Sequence, residues 1–202
     1  MAVNCYRRRH CDHEVSPWAD VKATEGTYYT NPDFAQQYNG SYNVGMIRGS
    51  YHFARPDTTT GATQASYFVA HGGGWSKDDK TLPGALDIEY NPYGAECYGL
   101  SQSAMRTWVN SFVNQYHAKT GRWAVIYTTT DWWRTCTGNY AGLWANDPLW
   151  IARYASAPGT LPAAHRPGRS GSTRVPGSGR AFAPVGFRQP RQRYTRRRRI
   201  RL

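Results

Sequence analysis

Asp87 and Glu89 stand two residues apart at the end of an apolar run, Leu82-Pro-Gly-Ala-Leu-Asp87-Ile-Glu89-Tyr90, and the turn Asn91-Pro92-Tyr93-Gly94 follows at once. On a β-strand, residues i and i+2 share a face, so both acids point the same way with α-carbons about 6.5 to 7 Å apart. Like charges that close repel, which raises the pKa of one acid while its neighbour stays ionised. A protonated acid beside an anion is what glycosidic bond cleavage needs: one protonates the leaving oxygen, the other supports the opposite side of the sugar. The spacing does not choose the stereochemical outcome, because it lies between about 5 to 5.5 Å for retention and about 6.5 to 9.5 Å for inversion. Taken alone, Asp-x-Glu is more often a polar strand end facing solvent. The surroundings must decide.

Those surroundings alternate strand and helix. Residues 21–24 predict a short strand before the turn at Glu25-Gly26, and Asn31-Pro32-Asp33 opens a helix that runs to about Tyr42. A strand over 45–53 ends at Arg55-Pro56, and a helix over 60–71 stops at Gly72-Gly73-Gly74. The Asp87 strand comes next. Ser101 then caps a helix whose apolar residues Met105, Trp108, Val109, Phe112, Val113 and Tyr116 fall on one face, closed by Gly121. Residues 123–127 and 149–154 read as further strands. This alternation predicts a parallel α/β architecture, and no phosphate-binding glycine loop follows any strand. Glu25, Tyr51, His52, Asp87, Glu89 and Tyr127 all fall at strand C-terminal ends, where a barrel places its active site.

The chain has 202 residues, enough for one domain with a sizeable core. No apolar run is long enough to span a membrane, and residues 1–10 carry no stretch fit for a signal peptide. The net charge of +12 comes from one end. Residues 163–202 hold twelve Arg and no acid; the 13 remaining basic residues balance 13 acids. A nucleic-acid-binding surface spread over the whole domain is therefore excluded. The 8 Trp, 15 Tyr and 6 Phe suit sugar stacking, and they suit a large core equally well. Cys97 and Cys136 lie in turn-rich segments after two strands and can bridge if the chain matures in an oxidising compartment. Such a loop would contribute about 4 kcal/mol in the chain-entropy model. Cys5, His10, Cys11 and His13 match no standard zinc spacing, so no metal site is expected.

The segments Lys22-Ala-Thr-Glu-Gly26, Gly49-Ser-Tyr-His-Phe53, Leu86-Asp-Ile-Glu-Tyr90, Ile126-Tyr-Thr128 and Leu149-Trp-Ile-Ala-Arg-Tyr154 together resemble glycoside hydrolase family 25, the secreted muramidases or lysozymes. The resemblance spans about residues 21–161 and is closest to the actinobacterial type. It implies an irregular TIM-like (β/α) barrel over 20–161 and hydrolysis of the β-1,4 bond between N-acetylmuramic acid and N-acetylglucosamine in peptidoglycan. It implies Glu89 as proton donor and Asp87 as the assisting carboxylate. Tyr51 and Tyr127 would line the sugar groove, with Glu25, His52 and Tyr154 as further substrate contacts. No cofactor is implied, and the expected state is a secreted monomer acting on glycan strands, without membrane association.

The departures matter as much. The family opens on a strand bearing another active-site Asp, and Asp12 and Asp20 sit in unrelated contexts. Its late Asp and Trp-Gln-Tyr segment also lack counterparts, since no acid follows Asp147. The first and last barrel strands are therefore expected to be missing, which predicts an incomplete barrel and a weaker enzyme. Residues 1–19 form an atypical leader. Residues 162–202 form an Arg/Pro/Gly-rich tail expected to be disordered. Its composition matches GC-rich coding DNA read out of frame, and the expectation is that both ends are frame-shifted. The rival is a real basic tail, centred on Arg196–Arg199, that binds anionic wall polymers or nucleic acid. The corresponding alternative for function is a non-catalytic wall-binding or nucleic-acid-binding protein.

Overall fold

The structure is a computed structural model and describes residues 18–152. The strands are β1 (Trp18–Glu25), β2 (Tyr29–Thr30), β3 (Ile47–Phe53), β4 (Ala85–Asp87), β5 (Val125–Thr129) and β6 (Leu149–Ala152). They form one sheet in the order β2-β1-β3-β4-β5-β6. The pairs β1–β3, β3–β4 and β4–β5 are parallel, whereas β2 folds back antiparallel on the end of β1. The helices α1 (Phe34–Asn43), α2 (Gly61–Phe68), α3 (Gln102–Thr120) and α4 (Thr130–Thr137) fill the connections. A parallel sheet needs such crossovers, because two parallel neighbours cannot be joined by a hairpin.

Local chemistry sets the helix limits. Ser101 accepts the Ala104 amide at the start of α3, and Gly121, at φ 68°, turns the chain out of it. All six apolar positions predicted for α3, from Met105 to Tyr116, are buried. Thr60 caps α2 in the same way, and α2 ends in a wide π turn over Val69–Gly73. Gly61 lets α2 approach α3 closely, since a β-carbon there would collide with the Trp108 carbonyl oxygen. The core lies between the sheet and these helices: Leu86, Ile88 and Ile126 meet Phe68, Phe112, Tyr116 and Trp132.

Two features differ from expectation. Strand β1 starts at Trp18, two residues before the expected domain boundary and three before the expected strand. Helix α4 was not anticipated; it is only eight residues long, but Thr129 caps its start and Gly138, at φ 63°, ends it. Among the described residues the sheet stays open, with β2 and β6 at its edges. Its inner face nevertheless curls, since Trp150 of β6 packs edge-on against both Tyr127 (5.0 Å) and Trp18 of β1 (5.1 Å). The tail, the first seventeen residues and the Cys5–His13 group lie outside the described residues.

Candidate active site

Strand register builds the site. Glu25 pairs with Phe53, Phe53 with Asp87, and Asp87 with Tyr127, so four strands end in one row. One pleat earlier, Lys22, Tyr51, Ala85 and Val125 form a second row on the same inner face. Lys22 and Glu25, three residues apart, could not share a face on a regular strand. A bulge between Lys22 and Thr24 inserts Ala23 and puts both on the inner side. Bulges re-aim side chains in this way near functional sites.

Asp87 is the last residue of β4 and is buried, and its Oδ1 has no hydrogen-bond partner among the described residues. The ladder continues one residue further, as the Ile88 amide donates to the Tyr127 carbonyl at 2.9 Å. Ile88 therefore faces the core and Glu89 returns to the inner face, half-buried. Burial raises the Asp87 carboxyl well above the usual range; the Glu89 charge adds to this, Lys22 opposes it, and Glu25 raises it further. Burial raises Glu89 as well. Ionisation of either acid disfavours ionisation of the other, which acts in the same direction as burial. Tyr51 sits beside them: burial lifts its phenol first, then the charges of Asp87, Glu89 and Asp20.

Glu25 is on the same face but already engaged. Its Oε1 accepts the hydroxyls of Tyr28 and Tyr93, each at 2.7 Å, and its Oε2 accepts Lys22 Nζ at 2.6 Å. Burial would raise its pKa, but the hydrogen bonds from Lys22, Tyr28 and Tyr93 prevail and lower it. Arg55 closes the cluster, donating to Tyr28 Oη at 2.6 Å and lying 4.4 Å over the Tyr93 ring. Glu25 thus anchors the aromatic residues of two loops at the rim.

His52 requires a correction. It pairs with Leu86 and faces the helices, fully buried, with Nδ1 2.8 Å from Thr24 Oγ1 and Nε2 2.9 Å from Gln64 Oε1. Its ring stacks on Phe112 at 5.3 Å, and burial pushes its pKa down to about 4. A neutral, enclosed imidazole cannot touch a substrate in the groove. The expected contact fails because the alternation that brings Tyr51 and Phe53 inward turns His52 outward. Tyr154 lies outside the described residues. Cys97 and Cys136 are joined in a disulfide that ties the loop after β4 to α4.

Sequence reasoning missed several neighbours. Asp20 was set aside, yet it lies on the inner face against Gly49 with its Oδ1 unpartnered among the described residues, and burial pushes its pKa up to about 6. The alternation Trp18-x-Asp20-x-Lys22 was the available signal. Lys22 and Arg55 came inward through the bulge and a loop, which no spacing rule exposes. No group of three or more potential metal ligands occurs among the described residues.

A parallel α/β sheet with two partly or fully buried carboxylates at one strand's C-terminal end is an arrangement that suits a glycosidase-type site. Comparison with known proteins narrows this further: the description "Glycosyl hydrolases family 25" matches residues 10–168. The chain belongs to this family. It is 54% identical over 145 residues to Lysozyme M1 of Streptomyces globisporus, covering 72% of this chain and 49% of that protein. It is 54% identical over 146 residues to the N,O-diacetylmuramidase of Chalaropsis sp, covering 70% of this chain and 69% of the relative. The solved muramidase from Acremonium alcalophilum superposes with a TM-score of 0.69 at 61% identity, over 72% of this chain and 70% of that one. The chain thus spans about half to seven-tenths of the length of these relatives.

Proposed function

We propose that the chain hydrolyses the β-1,4 bond between N-acetylmuramic acid and N-acetylglucosamine in peptidoglycan. The observation that carries the reading is the Asp87–Glu89 pair, raised together by burial on the inner face of a family 25 fold. Glu89, the more accessible acid, protonates the glycosidic oxygen. Asp87 is the ionised partner and supports the positive charge that develops at the sugar, directly or through the substrate's N-acetyl group. Tyr51 and Tyr127, on the same face, contact the sugar rings, and the Tyr28–Tyr93–Arg55 cluster on Glu25 shapes the rim. The named groups all come from one chain, so a monomer suffices, and no step calls on a cofactor. We place its work outside the cytoplasm, a reading supported by the Cys97–Cys136 bridge and by a wall substrate.

The test is the chemistry of the products. Digestion of purified peptidoglycan should release fragments with new reducing N-acetylmuramic acid ends, identified by borohydride reduction and mass spectrometry. Wall binding without new reducing ends would replace the enzyme by a wall-binding protein.

A further inference from the structure

Two tyrosines at the rim are exposed, yet they are fastened as buried residues usually are. The Tyr28 and Tyr93 side chains belong to residues 57% and 63% exposed. They come from different loops, Tyr28 from the turn between β1 and β2 and Tyr93 from the loop after β4. Both hydroxyls nevertheless donate to one oxygen, Glu25 Oε1, at 2.7 Å each, and Glu25 itself is buried. The Arg55 guanidinium lies 4.4 Å over the Tyr93 ring and 5.7 Å from the Tyr28 ring, and it donates to Tyr28 Oη. Arg55 is fixed in turn by two bonds to Asp57, at 3.0 and 2.9 Å. Rings this exposed gain little from burial, while holding them still costs side-chain entropy. Pre-organised exposed aromatic surface of this kind is suited to binding.

The rim shares a face with the acids. Glu25 pairs with Phe53 and Phe53 with Asp87, so Glu25 stands two strands from Asp87, about 10 Å away. Lys22 spans part of that interval, with Nζ bonded to Glu25 and 5.1 Å from the Phe53 ring. Tyr93 lies on the loop that leaves Glu89, and Asn91 Oδ1 accepts its amide at 2.9 Å. That loop therefore carries the ring from the acid's strand over to β1. Tyr90, 42% exposed, leans the other way, its hydroxyl 3.3 Å from Thr129 Oγ1 and 3.4 Å from Asp131 Oδ2. The charges at the Tyr28–Tyr93 rim balance, Lys22 and Arg55 against Glu25 and Asp57. A neutral ligand with an apolar face suits such a surface, and the C–H face of a sugar ring is one.

We propose that Tyr28 and Tyr93 form a sugar-binding subsite on the β1 side of the Asp87–Glu89 pair, away from the bond that is cleaved. Glu25 is its positioning residue: with Oε1 taken by two phenols and Oε2 by Lys22, it acts through the rings rather than on the sugar. A subsite remote from the reacting bond binds ground state and transition state alike, so it sets KM and leaves kcat alone. The inference deepens the muramidase reading and rests on it for the identity of the ligand, but its first test needs no turnover.

That test is an NMR titration of the full-length Glu89→Gln chain with soluble, peptide-free glycan strands, following tyrosine ring resonances. Tyr42, 40% exposed and on α1 before β3 begins, is the internal control. Signals of Tyr28 and Tyr93 should move while that of Tyr42 stays. Flat Tyr28 and Tyr93 signals overturn the proposal, whether the strands bind elsewhere or not at all. Movement of both rings, with no new reducing ends from the parent chain, would keep the subsite and end the muramidase reading. In the active chain, Tyr93→Ala should raise KM about tenfold with kcat held. A fall in kcat at constant KM overturns the remote placement. Glu25→Ala should weaken strand binding too, yet add nothing once Tyr28 and Tyr93 are both alanine. Fully additive losses would show that Glu25 touches the sugar itself and overturn its positioning role.

Discussion

His52 and Asp87 lie on adjacent strands, one residue out of register, and both are buried titratable groups, yet they belong to opposite kinds of environment. His52 faces the helices, where both ring nitrogens have partners and aromatic rings enclose it. Asp87 faces the inner side of the sheet, where one oxygen lacks a partner and a second acid stands beside it. The first arrangement consumes a polar group in holding the fold together. The second leaves one available, at a cost in stability, for the reaction proposed above. Burial alone does not distinguish structural from chemical residues; satisfaction of their polar atoms does.

This contrast can be broken or sharpened by substitution. Asp87→Asn keeps the shape and removes the charge, so activity should fall about 10²- to 10³-fold, read as the initial rate of reducing-end release. Because a buried acid with an unpaired oxygen is removed, urea unfolding should show stability unchanged or higher. Gln64→Ala should do the reverse. Gln64 bonds His52, the Arg55 amide and carbonyl, and Thr59, so its loss should cost about 2 to 4 kcal/mol while activity per folded molecule is kept. A Gln64→Ala chain that folds stably but loses turnover would show that the helix side takes part in the chemistry.

Asp20 gives a smaller, pH-dependent effect. Its folded pKa, about 6, lies above the ordinary value of 3.8, so the folded chain binds the extra proton between them. Stability from this group is therefore greatest at low pH and declines as pH rises from about 4 to 6. Asp20→Asn should remove that decline and gain about 2 to 3 kcal/mol at pH 7.5, measured by urea unfolding across pH. No gain at pH 7.5 would mean that the Asp20 charge is compensated.

How much of this was legible follows from where periodicity holds. Helix α3 read correctly because its six apolar residues repeat on one face, and Ser101 and Gly121 mark its ends. The shared face of Asp87 and Glu89 was legible because the two-residue spacing survives the end of β4. His52 was misassigned because strand ends were read without their faces; its neighbours Tyr51 and Phe53 share the inner side, and it does not. Lys22 was hidden by the Ala23 bulge, which breaks the two-residue repeat. Contacts made across loops depend on tertiary geometry, and local patterning carries no record of them.

The most direct measurement is the initial rate of peptidoglycan clearing by Glu89→Gln against the parent chain, at a temperature where circular dichroism shows both folded. The inner-face pair as the catalytic centre predicts a rate lower by about 10²- to 10⁴-fold, with unfolding midpoints nearly unchanged. Equal clearing by the two proteins would contradict it, and would remove the Asp87–Glu89 pair from the chemistry of this fold.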